Sequence, residues 1–231
     1  MIPDPPPAAR DLFGSRLSRI EAYAELLAGP GVERGLIGPG ETERLWDRHL
    51  LNSGAVAELI PAAPGRKPLQ LADLGSGAGL PGIVLAIMLP EVSVTLVEPM
   101  ARRTVFLQEC IAQLGLSNAQ VRRGRAEELA GEIEADVVTA RAVASLDRLA
   151  GLAAGLARSG GLVLAIKGAA AGTELDRARP VLRRLGATGT EIVVAGAGLL
   201  DQPTTVIRFR TRENARVVHR PGRGGRPRQR T

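Results

Sequence analysis

The chain has 231 residues, 45% hydrophobic, 23% charged and only 2% aromatic, which suits one medium domain with an appendage and an interior of Ala, Val, Leu and Gly. A single cysteine, Cys110, excludes an internal disulfide and fits a reducing compartment. The start, MIPDPPPAARDLFG, lacks the basic end and apolar core of a leader, and no run reaches the ~18–20 apolar residues of a membrane span, so a soluble, cytoplasmic protein without a membrane partner is expected.

Residues 1–14 are Pro-rich and read as loose. A first helix is expected from an N-cap at Ser15, with Leu17, Ile20, Ala24 and Leu27 on one face and Gly29-Pro30 ending it. A second runs from about Glu41 to Leu59, and PAAPGRKP then breaks the chain near residue 66. From Leu69 apolar runs alternate with helical stretches: LQLADL, VSVTLVE, AQVRR, ADVVTA, GLVLAIKG, TEIVVAG and TTVIRFR. The intervening helices fall at about 80–89, 101–114, 125–130, 145–157 and 173–185. This alternation implies right-handed βαβ crossovers and a mostly parallel sheet. AGLLDQP, between the last two runs, is too short for a crossover helix, so they should form an antiparallel hairpin at the edge. The pattern is that of a Rossmann-like, class I S-adenosylmethionine-dependent methyltransferase of seven strands. Residues 1–66 are then a helical N-terminal extension, 67–211 the methyltransferase domain and 212–231 a basic tail. That tail, RENARVVHRPGRGGRPRQRT, holds seven Arg against one Glu and carries the whole net charge of +6. Its composition buries no core and suits sequence-independent contact with phosphate.

The chemistry concentrates in ADLGSGAGLPG, where Gly75, Gly77 and Gly79 form the turn from the first strand into a helix. Glycines there permit positive φ and close approach of N–H groups to a ligand. Gly77-Ala78-Gly79-Leu80-Pro81-Gly82 also satisfies G-x-G-x-x-G, the dinucleotide fingerprint. Asp73, however, would set a carboxylate beside a pyrophosphate, and the two would repel. S-adenosylmethionine carries no phosphate and has a cationic sulfonium and amino group, so Asp73 near its methionine end is favourable. Glu98, twenty-three residues after Gly75, closes the second strand and can accept both ribose hydroxyls. Ala126 and Glu127 follow the third strand, where the adenine edge would lie.

Absences narrow the acceptor. After the fourth strand stands TARAVASL, without the Pro and aromatic residue that accompany amino-group methylation of bases. Cys110 lies mid-helix and reads as a small core residue rather than a nucleophile. His49 and His219 are far apart and no spacing suggests a metal. Guanine N7, whose lone pair is free at neutral pH, would need no general base and only alignment.

RHLLNS (48–53), DLGSGAGLPGI (73–83), RRTVFL (102–107), GRAEEL (124–129), ARAVASL (140–146) and AIKG (165–168) occur in this order. Together they resemble the GidB family of small-subunit ribosomal RNA methyltransferases, over about residues 15–210. The resemblance implies methylation of guanine N7 in 16S ribosomal RNA, with that RNA or the small subunit as partner. It implies cofactor contacts at Gly75, Leu80, Ala126, Glu127 and Arg141. Asp73, Gly77, Gly79 and Glu98 join these from the strand-end argument. Arg48, His49, Asn52 and Lys167 are candidates for positioning the substrate, with no general base assigned. Asn52 departs from the family's usual Asp and so lacks its charge. Arg102 and Arg103 open a helix as cations against its dipole, which suggests an anionic partner. The chain is read as a monomer. Two rivals are a methyltransferase for a small molecule or protein, and a non-catalytic RNA-binding assembly factor.

Overall fold

In the computed structural model residues 2–62 and 68–212 are described. The expected boundary near residue 66 and the Arg-rich tail beyond Arg212 lie outside them. Seven strands form one sheet: β1 (Leu69–Leu74), β2 (Val92–Glu98), β3 (Ala119–Arg123), β4 (Ala135–Arg141), β5 (Ala157–Lys167), β6 (Thr188–Ala195) and β7 (Thr204–Arg210). Their order is β3-β2-β1-β4-β5-β7-β6. The first five are parallel, and β7 runs antiparallel to both β5 and β6, as the short 196–203 loop requires. All seven strands fall on the predicted apolar runs.

Alternation along the strands feeds two cores. Leu71, Leu96, Val137 and Leu164 point to the face covered by α4 (Gly82–Met88), α5 (Ala101–Gln113) and the N-terminal helices. Their neighbours Ala72, Val97, Val138 and Ala165 point to the other face, under α6 (Leu146–Leu156) and α7 (Ala171–Arg184). The chain reverses at β1, whose neighbours β2 and β4 lead in opposite directions. The parallel strands therefore open a crevice at their carboxyl ends, where such sheets bind ligands.

The N-terminal extension is more ordered than its proline content suggests. Residues 7–13 form helix α1 (Pro7–Phe13), with Pro7 in the first turn, where a missing N–H costs nothing. Phe13 is buried against Trp46, ring centroids 6.5 Å apart. The next helix, α2, spans Leu17–Leu26 and follows a 3-10 turn at Gly14–Arg16, so Ser15 does not cap it. Nor does Gly29-Pro30 end it, because wide π turns carry the helix through Leu27–Gly31. The second predicted helix is a series of segments from Pro39 to Leu59, α-helical only at α3 (Asn52–Ala55). Over Leu45–Leu51 the buried residues are Leu45, Trp46, Leu50 and Leu51. Two apolar pairs five apart match a π turn better than a 3.6-residue period. The helix expected at 125–130 is absent; those residues make turns between β3 and β4. The segment closes on itself, Glu128 accepting from the Arg125 N–H at 2.9 Å, and is too short to propagate. Among the described residues no helix is long and apolar enough to cross a membrane.

Candidate active site

The glycine loop hangs from two strands. The N–H groups of Gly75 and Ser76 both donate to the Val97 carbonyl at the end of β2, at 2.9 and 3.0 Å. Gly75 holds φ +69°, and a Cβ there would lie 2.8 Å from Val143 in the β4–α6 loop. The Gly77 N–H donates to Glu98 Oε2 at 3.0 Å, and the Met100 N–H to Glu98 Oε1 at 2.9 Å. Glu98 is 1% exposed, and each of its oxygens accepts one of these bonds.

Asp73 sits beneath the loop. Its Oδ2 accepts the Gly82 N–H at 3.1 Å and its Oδ1 the Thr139 hydroxyl at 2.9 Å, across the β1–β4 register pair. Burial pushes the Asp73 carboxyl up to about 6, opposed by hydrogen bonds from Thr139, Ser76 and Gly82 and by the charge of Arg141. The first amides of α4 are thereby consumed, Gly82 by Asp73 and Ile83 by the Gly79 carbonyl at 2.7 Å. A pyrophosphate at this helix start would find those donors taken and a carboxylate behind them, so the site does not fit a dinucleotide.

Two cavities meet at this edge. The first, about 320 Å³, gathers Gly75, Glu98, Ala126 and Glu127 with Met100 and Arg103. The second, about 400 Å³, lies under the N-terminal extension and gathers Gly77, Leu80 and Arg141 with Glu41, Arg48 and His49. Gly75, Arg103 and Ala142 line both. Arg103 Nη1 is 3.7 Å from Glu98, and its buried Nε has no hydrogen-bond partner among the described residues. Asp73 and Gly79 line neither cavity; Gly79 is packed against Ile83 and Tyr23. A larger cavity, about 500 Å³, lies elsewhere, between α1 and the β6–β7 loop.

Two positioning candidates have partners of their own. Asn52 Oδ1 accepts from the Thr204 hydroxyl at 2.9 Å, which ties α3 to the start of β7. Lys167 pairs with Glu174 at 2.7 Å and donates to the Ala144 carbonyl at 3.0 Å, its side chain only 8% exposed. It thereby ties the β4–α6 loop to α7. Cys110 is buried in α5 and its thiol is pushed up to about 12, chiefly by that burial, so no thiolate nucleophile is present there.

Tyr23 was not singled out from the sequence. Its hydroxyl donates to the Ala78 carbonyl at 2.7 Å and is fully buried, pinning the glycine loop from α2. The signal was available: it is the chain's one tyrosine, on the apolar stripe of a helix, and a buried phenol needs a partner. Tyr23→Phe leaves that carbonyl unpaired and should cost ~1–3 kcal/mol, read as a lower urea midpoint at unchanged m.

Comparison with known proteins agrees with this geometry. A family model described as rRNA small subunit methyltransferase G (GidB) matches residues 16–201. The chain is 54% identical over 204 residues to a ribosomal RNA small subunit methyltransferase G of Thermobifida fusca, covering 88% of this chain and 84% of the relative. It is 53% identical over 240 residues to the protein of the same name from Salinispora tropica, covering 97% of each. Among solved structures, a SAM-dependent O-methyltransferase of Thermotoga maritima superposes with a TM-score of 0.54 at 13% identity, over 70% of this chain and 64% of the other. The last likeness is one of fold alone, that of a class I methyltransferase. With a match spanning both the glycine loop and the helices that wall the second cavity, the chain belongs to the GidB family of rRNA small subunit methyltransferases.

Proposed function

We propose that this protein transfers a methyl group from S-adenosylmethionine to guanine N7 of 16S ribosomal RNA in the small subunit. The observation that carries this reading is the pair of joined cavities, one built around the carboxylate of Glu98 and the other rimmed by arginines. The residues fit the cofactor. Glu98 offers acceptors for a ribose diol, Ala126 and Glu127 border the space for adenine, and the glycine loop leaves room for the sulfonium end. The bound cofactor supplies an electrophilic methyl carbon.

The second cavity, lined by Gly77, Leu80 and Arg141, then receives the methionine end of the cofactor and, beside it, the target base. Among the described residues of its walls the two candidate bases are engaged: His49 through both ring nitrogens, to Glu41 and to Arg141, and Glu41 with Arg48 and His49. An acceptor that gives up no proton suits such a site, and N7 of guanine is one. What remains for the chain is to align the base in line with the methyl group and keep it there. Arg103, which lines both cavities, is placed to hold an anionic group of the RNA. A base drawn from folded RNA would have to be unstacked to enter. The rival readings, a small-molecule or protein methyltransferase and a non-catalytic assembly factor, are not favoured by a family match over residues 16–201.

In the same reading, residues 1–66 are an extension that completes the site, 67–211 the methyltransferase domain and 212–231 a phosphate-binding tail of a cytoplasmic monomer. The test is genetic and chemical. Small-subunit RNA from cells lacking this protein should contain one fewer 7-methylguanosine per molecule, restored by the intact gene. An unchanged 7-methylguanosine content would overturn the proposal.

A further inference from the structure

A hydrogen-bonded chain runs from the surface of the N-terminal extension to the end of β4. Arg48 Nη1 donates to Glu41 Oε1 at 2.9 Å, and Glu41 Oε2 lies 2.9 Å from His49 Nε2. His49 Nδ1 in turn meets Arg141 Nη2, while Arg141 Nη1 donates to the Arg48 carbonyl at 3.3 Å. The proton positions follow from the partners. A guanidinium only donates, so Nδ1 must accept; the ring hydrogen therefore sits on Nε2 and donates to Glu41. A second proton on Nδ1 would point at the Arg141 guanidinium. Burial first, then the charge of Arg141, lowers the His49 pKa against the opposing pull of Glu41, which keeps the ring in this one neutral form.

Arg141 needs such a partner. It carries a flexible side chain to the rim of the second cavity. Two of its N–H groups are fixed from the extension side, to the Arg48 carbonyl and to His49.

We propose that His49, locked in its Nε2–H tautomer by Glu41, is a positioning residue that orients the Arg141 guanidinium toward the carboxylate of the cofactor's methionine moiety. The inference rests on the reading of Arg141 as a cofactor contact, and it assigns His49 and Glu41 a role through Arg141 rather than on RNA. It also gives the extension a reason to be part of the enzyme, since the methyltransferase domain alone would leave Arg141 without its acceptor.

The test is calorimetric binding of two probes to the full chain, S-adenosylhomocysteine and 5′-methylthioadenosine, which lacks the amino-acid end. His49→Phe should weaken S-adenosylhomocysteine about 10-fold or more, in the range seen when outer partners of a binding group are removed. Glu41→Gln should give a smaller loss of the same kind. His49→Asn, whose amide oxygen can take the place of Nδ1, should recover most of the affinity. Methylthioadenosine should bind all three variants as it binds the parent. Arg141→Ala should weaken S-adenosylhomocysteine at least as much as His49→Phe.

If Arg141→Ala weakens S-adenosylhomocysteine while His49→Phe does not, the positioning role fails and the reading of Arg141 stands. If Arg141→Ala leaves its affinity unchanged, the underlying reading fails. Equal losses for both probes in His49→Phe, or no recovery in His49→Asn, would mean general damage to the cavity and would also overturn the proposal.

Discussion

Glu98→Ala is expected to weaken S-adenosylhomocysteine binding ~100-fold or more, with methyl transfer falling in proportion at sub-saturating cofactor. The carboxylate accepts two backbone N–H groups, from Gly77 and Met100, and is 1% exposed. Its removal leaves both amides without an acceptor, frees the glycine loop from β2, and takes away the groups proposed to hold the ribose diol. Loss of the two hydrogen bonds from the ribose hydroxyls to a charged acceptor, at ~1.5–3 kcal/mol each, corresponds to that factor or more. Glu98→Gln keeps the shape and one acceptor but turns an NH₂ toward an N–H donor, so its loss should be intermediate. Calorimetric titration reads both. An affinity within threefold of the parent for Glu98→Ala would show that the ligand does not use this carboxylate.

Gly82→Ala is the second large effect, and here two forces oppose one another. Gly82 opens α4, and alanine is favoured over glycine in a helix by ~1 kcal/mol. The packing decides the sign. A Cβ at this position would meet the Leu96 side chain, lie 2.7 Å from Asp73 Oδ2 and 2.9 Å from Asp73 Cβ. Leu96 is fully buried, and Asp73 is held by its bonds to Gly82 and Thr139, so neither neighbour can move cheaply. Overpacking of this kind costs ~1–3 kcal/mol or more, and displacement of Asp73 would strip the α4 N-terminus of its acceptor. A loss of about 3 kcal/mol is expected, read as a shift of the urea midpoint. Gly151→Ala, at an exposed position of helix α6 with open space around it, is the control and should stabilise by up to ~1 kcal/mol.

The strands were legible because their signal is local. Runs such as LQLADL and VSVTLVE are continuous and apolar, and a parallel sheet buried on both faces produces such runs. The hairpin was legible from a loop length. Turns at 125–130 were mistaken for a helix because AEEL has helical propensity, yet a six-residue stretch is too short to propagate one. The extension was harder. Its wide turns follow the pairs Leu45-Trp46 and Leu50-Leu51, a five-residue spacing that a 3.6-residue template does not seek.

Within the site, positions at strand ends could be named from the sequence, since topology alone brings Gly75, Glu98 and Ala126 to one edge. The partners of each side chain could not. Asp73 was expected beside the cofactor but spends both oxygens on Gly82 and Thr139, the latter 66 residues away. Asn52 meets Thr204 across 152 residues, and Lys167 is matched to Glu174 on a helix whose docking no local pattern reveals. The link between His49 and Arg141 spans 92 residues. Only the fold makes these pairs neighbours, and they separate the residues that face the cavities from those that hold the walls.

Transfer of a methyl group from S-adenosylmethionine to N7 of a guanine at the two adjoining cavities is the step on which every role above depends. It is tested most directly by single-turnover transfer of radiolabelled methyl from the purified chain to unmethylated small subunits and to naked 16S RNA. Strand scission specific for 7-methylguanosine then locates the label. One labelled guanine, cut at N7, is expected on at least one of the two substrates. Label recovered in any other methylated nucleoside, or none on either substrate from a chain that binds the cofactor, would contradict it.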